Sequence, residues 1–155
     1  MNKQQRKSLQ DTADALREIK DDIEATVGRV DQGFLASGVL ELVNAKGLLV
    51  GATSVDGEGW WTMIDGHKDD VTNEKDEEES KYDNMPEGLQ SSDNGERMQE
   101  AINSLEKAET SLETAMEALE AIEAEDDSDT IKGQLETAIS ELEQAVDSIE
   151  EAINA

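Results

Sequence analysis

From Glu96 to the C-terminus, leucine or isoleucine recurs every seven residues with alanine between, a spacing that dictates paired amphipathic helices. Leu105, Leu112 and Leu119 occupy one heptad position, and Ala101, Ala108, Ala115 and Ile122 the next. Glu106, Glu113, Glu120 and Asp127 follow on the outward side. The pattern returns 37 residues later as Leu135/Leu142/Ile149, Ala138/Ala145/Ala152 and Glu136/Glu143/Glu150. Ala101–Met116 and Ala138–Ile153 agree at eight of sixteen positions, so the segment is a repeated helix folded into a hairpin. Alanine at alternate seam positions permits close approach of the two helices. Ile102, Met116, Ile139, Val146 and Ile153 widen the apolar stripe beyond a two-helix seam. A third helix or a second chain must cover that edge.

Residues 3–30 have the period to supply the third helix. Leu9, Leu16, Ile23 and Val30 repeat at seven, joined by Ala13 and Ile19, while Gly28 weakens the last turn. Lys3, Arg6 and Lys7 stand at the start of this helix, where its dipole disfavours cations. They are expected to meet the acidic end of another helix.

The texture changes at Asp31. Val39–Val43, Leu48–Thr53 and Trp60–Ile64 are β-branched or aromatic runs separated by Asn44-Ala45-Lys46-Gly47 and Asp56-Gly57-Glu58-Gly59, which suit hairpin turns. The expectation is a small three-stranded antiparallel meander; the rival reading makes 33–46 a short helix followed by one hairpin. Trp60 and Trp61 would then point to opposite faces of the sheet. Beyond it, 67–81 is mostly charged, with Thr72 placed to cap a short acidic helix that Pro86 must end or precede. Met85-Pro86-Glu87-Gly88-Leu89 reads as a turn with apolar pegs, and Ser92 or Asn94 as the cap of the next helix. The expected organisation is an N-terminal amphipathic helix (1–30), a β-rich inserted module (31–67), an acidic connector (68–95) and an acidic antiparallel hairpin (96–155) with a loop at 125–130. The fold class is mainly α, elongated and coiled-coil-like, with a small antiparallel β insertion.

The net charge of −26 is unevenly distributed. Residues 1–30 are balanced, with six acids and six bases, whereas 98–155 carry seventeen acids and two bases. A folded hairpin needs a polar exterior but not one of a single sign, and repeated glutamate at i,i+4 repels by a few tenths of a kcal/mol per pair. The acidity therefore does not come from folding. Adaptation to high salt would spread it evenly, and the neutral first helix argues against that. A basic nucleic-acid ligand surface is absent, and direct nucleic-acid binding is disfavoured.

No catalytic constellation is present. His67 is the only histidine and has no nucleophile or paired carboxylate at a motif spacing, so it reads as a loop residue. Asp126-Asp127-Ser128-Asp129 lacks the glycine and the distal glutamate of a calcium loop. The glycines at 47, 51, 57 and 59 are followed by no Gly-Lys-Ser/Thr, which excludes a phosphate loop. There is no cysteine, hence no disulfide or thiolate metal site. No cofactor, metal or enzymatic role is expected. The first ten residues have bases but no apolar stretch behind them, and no run approaches the roughly 18 apolar residues of a membrane span. A cytoplasmic setting is expected, with no membrane partner.

The stretch Tyr82-Asp83-Asn84-Met85-Pro86-Glu87-Gly88-Leu89-Gln90-Ser91-Ser92, followed by Gly95-Glu96-Arg97 and the Ala/Leu/Glu helices, resembles a family of small acidic helical proteins of bacteriophages and prophage-like bacterial regions. The opening Met1-Asn2-Lys3 with Arg6-Lys7 is similar too, and the likeness covers about two thirds of the chain. In that family the first helix runs almost directly into the DNMPExLQ motif, so 31–71 look like an insertion. The resemblance implies a viral or mobile-element setting and no particular chemistry.

Charge density suggests a role for the hairpin. A helix of about 25 residues is ~38 Å long, and duplex DNA of that length carries about 22 charges. The hairpin offers a net −15 over a comparable rod. The expected function is that of a phage-type acidic inhibitor, imitating DNA or RNA to block a basic nucleic-acid-binding defence nuclease or effector of the host cell. Glu106, Glu113, Glu120, Glu136, Glu143 and Glu150 would be its partner-binding rows, with Trp60 and Trp61 as aromatic anchors. The alternative is a structural or assembly protein that forms homo-oligomers through its helices.

Overall fold

The computed structural model describes residues 1–31, 59–122 and 127–155, and every element among them is helical. They are α1 (Lys3–Asp31), α2 (Trp60–Asp83), α3 (Glu87–Gln90), α4 (Asp93–Glu120) and α5 (Ser128–Asn154). The four long helices form an up-down-up-down bundle. α1 packs on α2 and α5, and α4 packs on the same two helices, closing a ring in chain order.

α4 and α5 meet through the expected seam. Leu105, Leu112, Leu135, Leu142 and Ile149 are at most 1% exposed, and the intervening alanines are buried with them. Two flanks remain, as the wide stripe demanded, and each is covered from within the chain. α2 packs on α4, which carries Ile102 and Met116, and α1 packs on α5, which carries Val146, Ile139 and Ile153. Ile102, Met116 and Val146 are buried, and Ile139 and Ile153 pack partly buried against the core. α1 contributes Leu9, Leu16 and Ile23 at seven-residue spacing, together with Ala13 and Ile19. Its first turn carries a reciprocal cap in which Asn2 Oδ1 accepts from the Gln5 amide at 2.9 Å and Gln5 Oε1 accepts from the Asn2 amide at 3.0 Å.

The fourth wall is the main departure from the sequence reading. Trp60–Ile64, expected as the third strand, begins a helix that runs without interruption to Asp83. Residues 68–83 are therefore a wall of the bundle and not part of a connector. Gly59, read as the end of a hairpin turn, is the extended N-cap of α2, with φ −82° and ψ 158°. Trp60, Ile64, Val71 and Glu78 are its buried residues. Spaced four then seven, they follow a helical seam, and the alternation that a strand needs is absent. The other two strands, Val39–Val43 and Leu48–Thr53, lie outside the described residues.

The distinctive stretch after α2 is a tight helical corner. Asn84 Nδ2 donates to the Ser80 carbonyl at 2.6 Å as α2 ends. Pro86 then opens α3, its carbonyl accepting the amides of Leu89 at 2.7 Å and Gln90 at 3.2 Å. Gln90 Nε2 reaches back to the carbonyls of Tyr82 and Met85, at 3.2 Å each, satisfying the end of the preceding helix. Ser92, the first of the two expected caps, starts α4 by accepting from the Gly95 amide. Of the expected apolar pegs, Met85 is half-buried, whereas Leu89 is 53% exposed.

A Cβ at Gly95 would lie 2.1 Å from the Gln90 carbonyl oxygen, a backbone atom that cannot step aside. Gly95→Ala should therefore destabilise the bundle by about 1–3 kcal/mol, the usual range for overpacking. At Gly88, in the same corner, an added Cβ would meet nothing within 4 Å. Gly88→Ala should leave the denaturant midpoint unchanged or raise it, which makes the pair a test of the corner.

Candidate functional site

The six glutamates of the expected binding rows share one heptad position in their helices, but the bundle does not bring the two rows together. In α4 that position turns toward α2, as the Lys68 Nζ to Glu113 Oε1 contact at 3.3 Å shows. In α5 the same position turns toward α1, where Arg17 pairs with Glu150. Glu106, Glu113 and Glu120 therefore lie along one flank of the hairpin, and Glu136, Glu143 and Glu150 along the other. Five of the six are exposed, and Glu150 is half-buried. Arg17 is held above its ordinary pKa, first by its hydrogen bond to Glu150 and then by the charges of Glu150 and Asp14.

Much of the acidity is unopposed. Among the described residues, Glu106, Glu117, Glu120, Glu143, Asp147 and Glu151 are exposed and belong to no ion pair. Successive members of one row stand about 10.5 Å apart along a straight helix.

Trp60 and Trp61 do not point to opposite faces of a sheet, since both belong to the first turn of α2. Trp60 is 3% exposed in the core and Trp61 packs partly buried against it. The Trp60 indole N–H has no acceptor among the described residues. His67, expected in a loop, sits midway along α2 with Nδ1 3.4 Å from Asp70 Oδ2. Among the described residues no three histidine or acidic side chains converge as metal ligands, and no helix is long and apolar enough to cross a membrane. Asp127, part of the acidic run after α4, caps α5 by accepting from the Thr130 amide at 2.8 Å. That hydrogen bond holds its carboxyl below the usual aspartate range.

Sequence reasoning missed the polar side of the core. Glu78 is fully buried, and its Oε1 accepts from the Met1 ammonium at 2.7 Å. Lys81 Nζ stands 3.6 Å from Glu78 Oε2 and donates to Gln5 Oε1. Higher along the bundle, Lys75 Nζ meets Glu109 Oε2 at 2.6 Å while Thr72 donates to Oε1 of the same carboxylate. Both side chains of that pair are less than a fifth exposed. Its legible signal was a lysine and a glutamate one step outside the seam on helices that had to be neighbours, but α2 was not recognised as one of them.

Glu109 raises the Lys75 pKa, first through the hydrogen bond and then through its charge, against the opposing effect of burial. A lysine whose folded pKa is raised contributes stability that is complete below its unfolded value, near 10.4, and lost as the pH climbs through the folded value. Glu109→Gln should cost about 1–3 kcal/mol at neutral pH. The difference between wild type and variant should shrink with increasing alkalinity in paired denaturation curves.

No protein-family model, curated protein or solved structure matches this chain.

Proposed function

We propose that the chain is an acidic binding protein of the phage counter-defence type. In this reading it occupies the nucleic-acid cleft of a basic host nuclease or effector in the cytoplasm by offering carboxylates in place of phosphates. The observation that supports it most is the split between core and charge. The bundle closes its apolar surface with four walls of one chain, while most exposed carboxylates of α4 and α5, Glu113 and Glu136 excepted, are left without cationic partners among the described residues. Self-repulsion makes that arrangement unfavourable for folding, so a use outside folding is the economical explanation. Closure also removes the sequence-based reason for a second chain, since the wide stripe is already covered. The motif at Asp83–Gln90 is consistent with the phage setting by resemblance, and its polar residues serve the corner between α2 and α4.

The flanking placement of the glutamates gives the reading a directional test. A partner captured from host lysate at low salt should be released by high salt or by competing duplex DNA. Its affinity should then be measured for Glu106→Gln/Glu113→Gln/Glu120→Gln and for Glu136→Gln/Glu143→Gln/Glu150→Gln. Each triple substitution removes three charges from one side of the bundle and keeps helix propensity nearly constant. A cleft that receives one flank should lose tenfold or more, by rough order of magnitude, to one triple and far less to the other, with a weaker salt dependence. Equal, unchanged affinity for both variants at two salt concentrations would reject charge mimicry by these rows.

A further inference from the structure

We infer that the end of the bundle where α1 and α4 begin holds a site for a small multivalent oxyanion, of the inorganic phosphate class, between Arg6 and Arg97. With 39 acidic residues against 13 lysines and arginines, a cation in this chain should readily find a carboxylate. Among the described residues Arg17, Lys20, Lys68, Lys75, Lys81 and Lys132 do, whereas Lys3, Lys7 and Lys107 do not. Arg6 and Arg97 form no ion pair among the described residues, although they belong to different helices and line the same cavity. The acidic helix end expected to receive the α1 cations does not reach Arg6.

The cavity measures about 110 Å³. A cavity needs only about 10–15 Å³ of such volume to hold one water, so a tetrahedral oxyanion fits there together with bridging waters. Asn94 adds an amide that can donate, and Met98, Ala101 and Ala152 supply an apolar floor that offers no competing carboxylate. Met1 and Ala155 form the remaining edge; the Met1 ammonium is engaged by Glu78, and the Ala155 carboxylate, which opposes a bound anion, makes no ion pair with either guanidinium. Two arginines lining one small volume suit a multivalent oxyanion, because each guanidinium can give paired N–H donors to adjacent oxygens. The positive end of the α4 dipole adds to the field. Asp93 and Glu96 in that first turn work against it, but both are exposed and neither lines the cavity. The chain as a whole, at net −26, repels anions the more strongly the more charges they carry, which favours a free small ion over a phosphate carried on nucleic acid.

The test is thermal unfolding in phosphate and in chloride at matched ionic strength, since both salts relieve self-repulsion. Phosphate should give a saturable extra rise of about 5 °C at roughly a hundredfold excess over its Kd. Arg6→Gln/Arg97→Gln should keep the helical circular dichroism and the chloride response but lose the extra rise. Lys107→Gln, which removes a cation that does not line this cavity, should keep both. Equal responses to phosphate and chloride in wild type would overturn the site, as would an extra rise that survives in the double variant. A 5′-phosphorylated oligonucleotide that matches inorganic phosphate would overturn the assignment to a small ion.

Discussion

An apolar stripe too wide for one partner governs this molecule. In α4 and α5 the leucine and alanine rows pair with each other, and a further row on each helix turns away from that seam. A two-helix hairpin would leave Ile102, Met116, Val146 and Ile153 against water. Burying a side chain of this size favours folding by about 1.5–3 kcal/mol, so the uncovered edge would forfeit much of the stability of a small domain. One more helix on each flank solves the problem, and the chain supplies both. Antiparallel order follows from the short corner between α2 and α4 and from the hairpin between α4 and α5.

The four walls are not equivalent. α4 buries no polar groups beyond the small hydroxyls of Ser104 and Ser111 beside its leucine and alanine rows, whereas α1 and α2 bring Gln5, Thr12, Thr26 and the charged Glu78 into the interior. Burying Glu78 beside the Met1 ammonium is weak support for stability, because desolvation of both charges offsets their attraction. Its effect is on register. Sliding α1 by one heptad against α2 would take the Met1 ammonium away and set the buried carboxylate against the level of Leu9, with only Lys81 of its own helix in reach. A polar contact at one seam position can thus reject alternatives that an all-leucine interface would tolerate.

The parts of this fold legible in the sequence were those where period and composition agreed. α1, α4 and α5 repeat apolar residues at seven, and α4 carries a recognisable start at Ser92. α2 was hidden because its two signals conflict: Trp60-Trp61-Thr62-Met63-Ile64 has strand composition after a glycine-rich stretch, and the following acids leave only Val71 as an apolar seam residue. Its heptad becomes visible only when Glu78 is accepted as a core residue, which a hydropathy pattern cannot suggest. The glutamate rows were found as rows, but a heptad letter fixes a direction within its own helix. Which side of the bundle that direction faces depends on the order of helices around the ring. Arg6 and Arg97 are 91 positions apart, so only the closed bundle brings them to one cavity.

The two adjacent tryptophans give the bundle a built-in optical gauge. Trp60 is enclosed by core side chains with its indole N–H unmatched among the described residues, while its neighbour Trp61 keeps partial access to solvent. Indole emission shifts to the blue in an apolar enclosure and to the red on hydration, so the pair emits as two populations in the intact bundle. Detachment of α2 alone would merge them while the helical signal of the remaining three walls persisted. Light from one dipeptide therefore distinguishes loss of the fourth wall from collapse of the whole bundle.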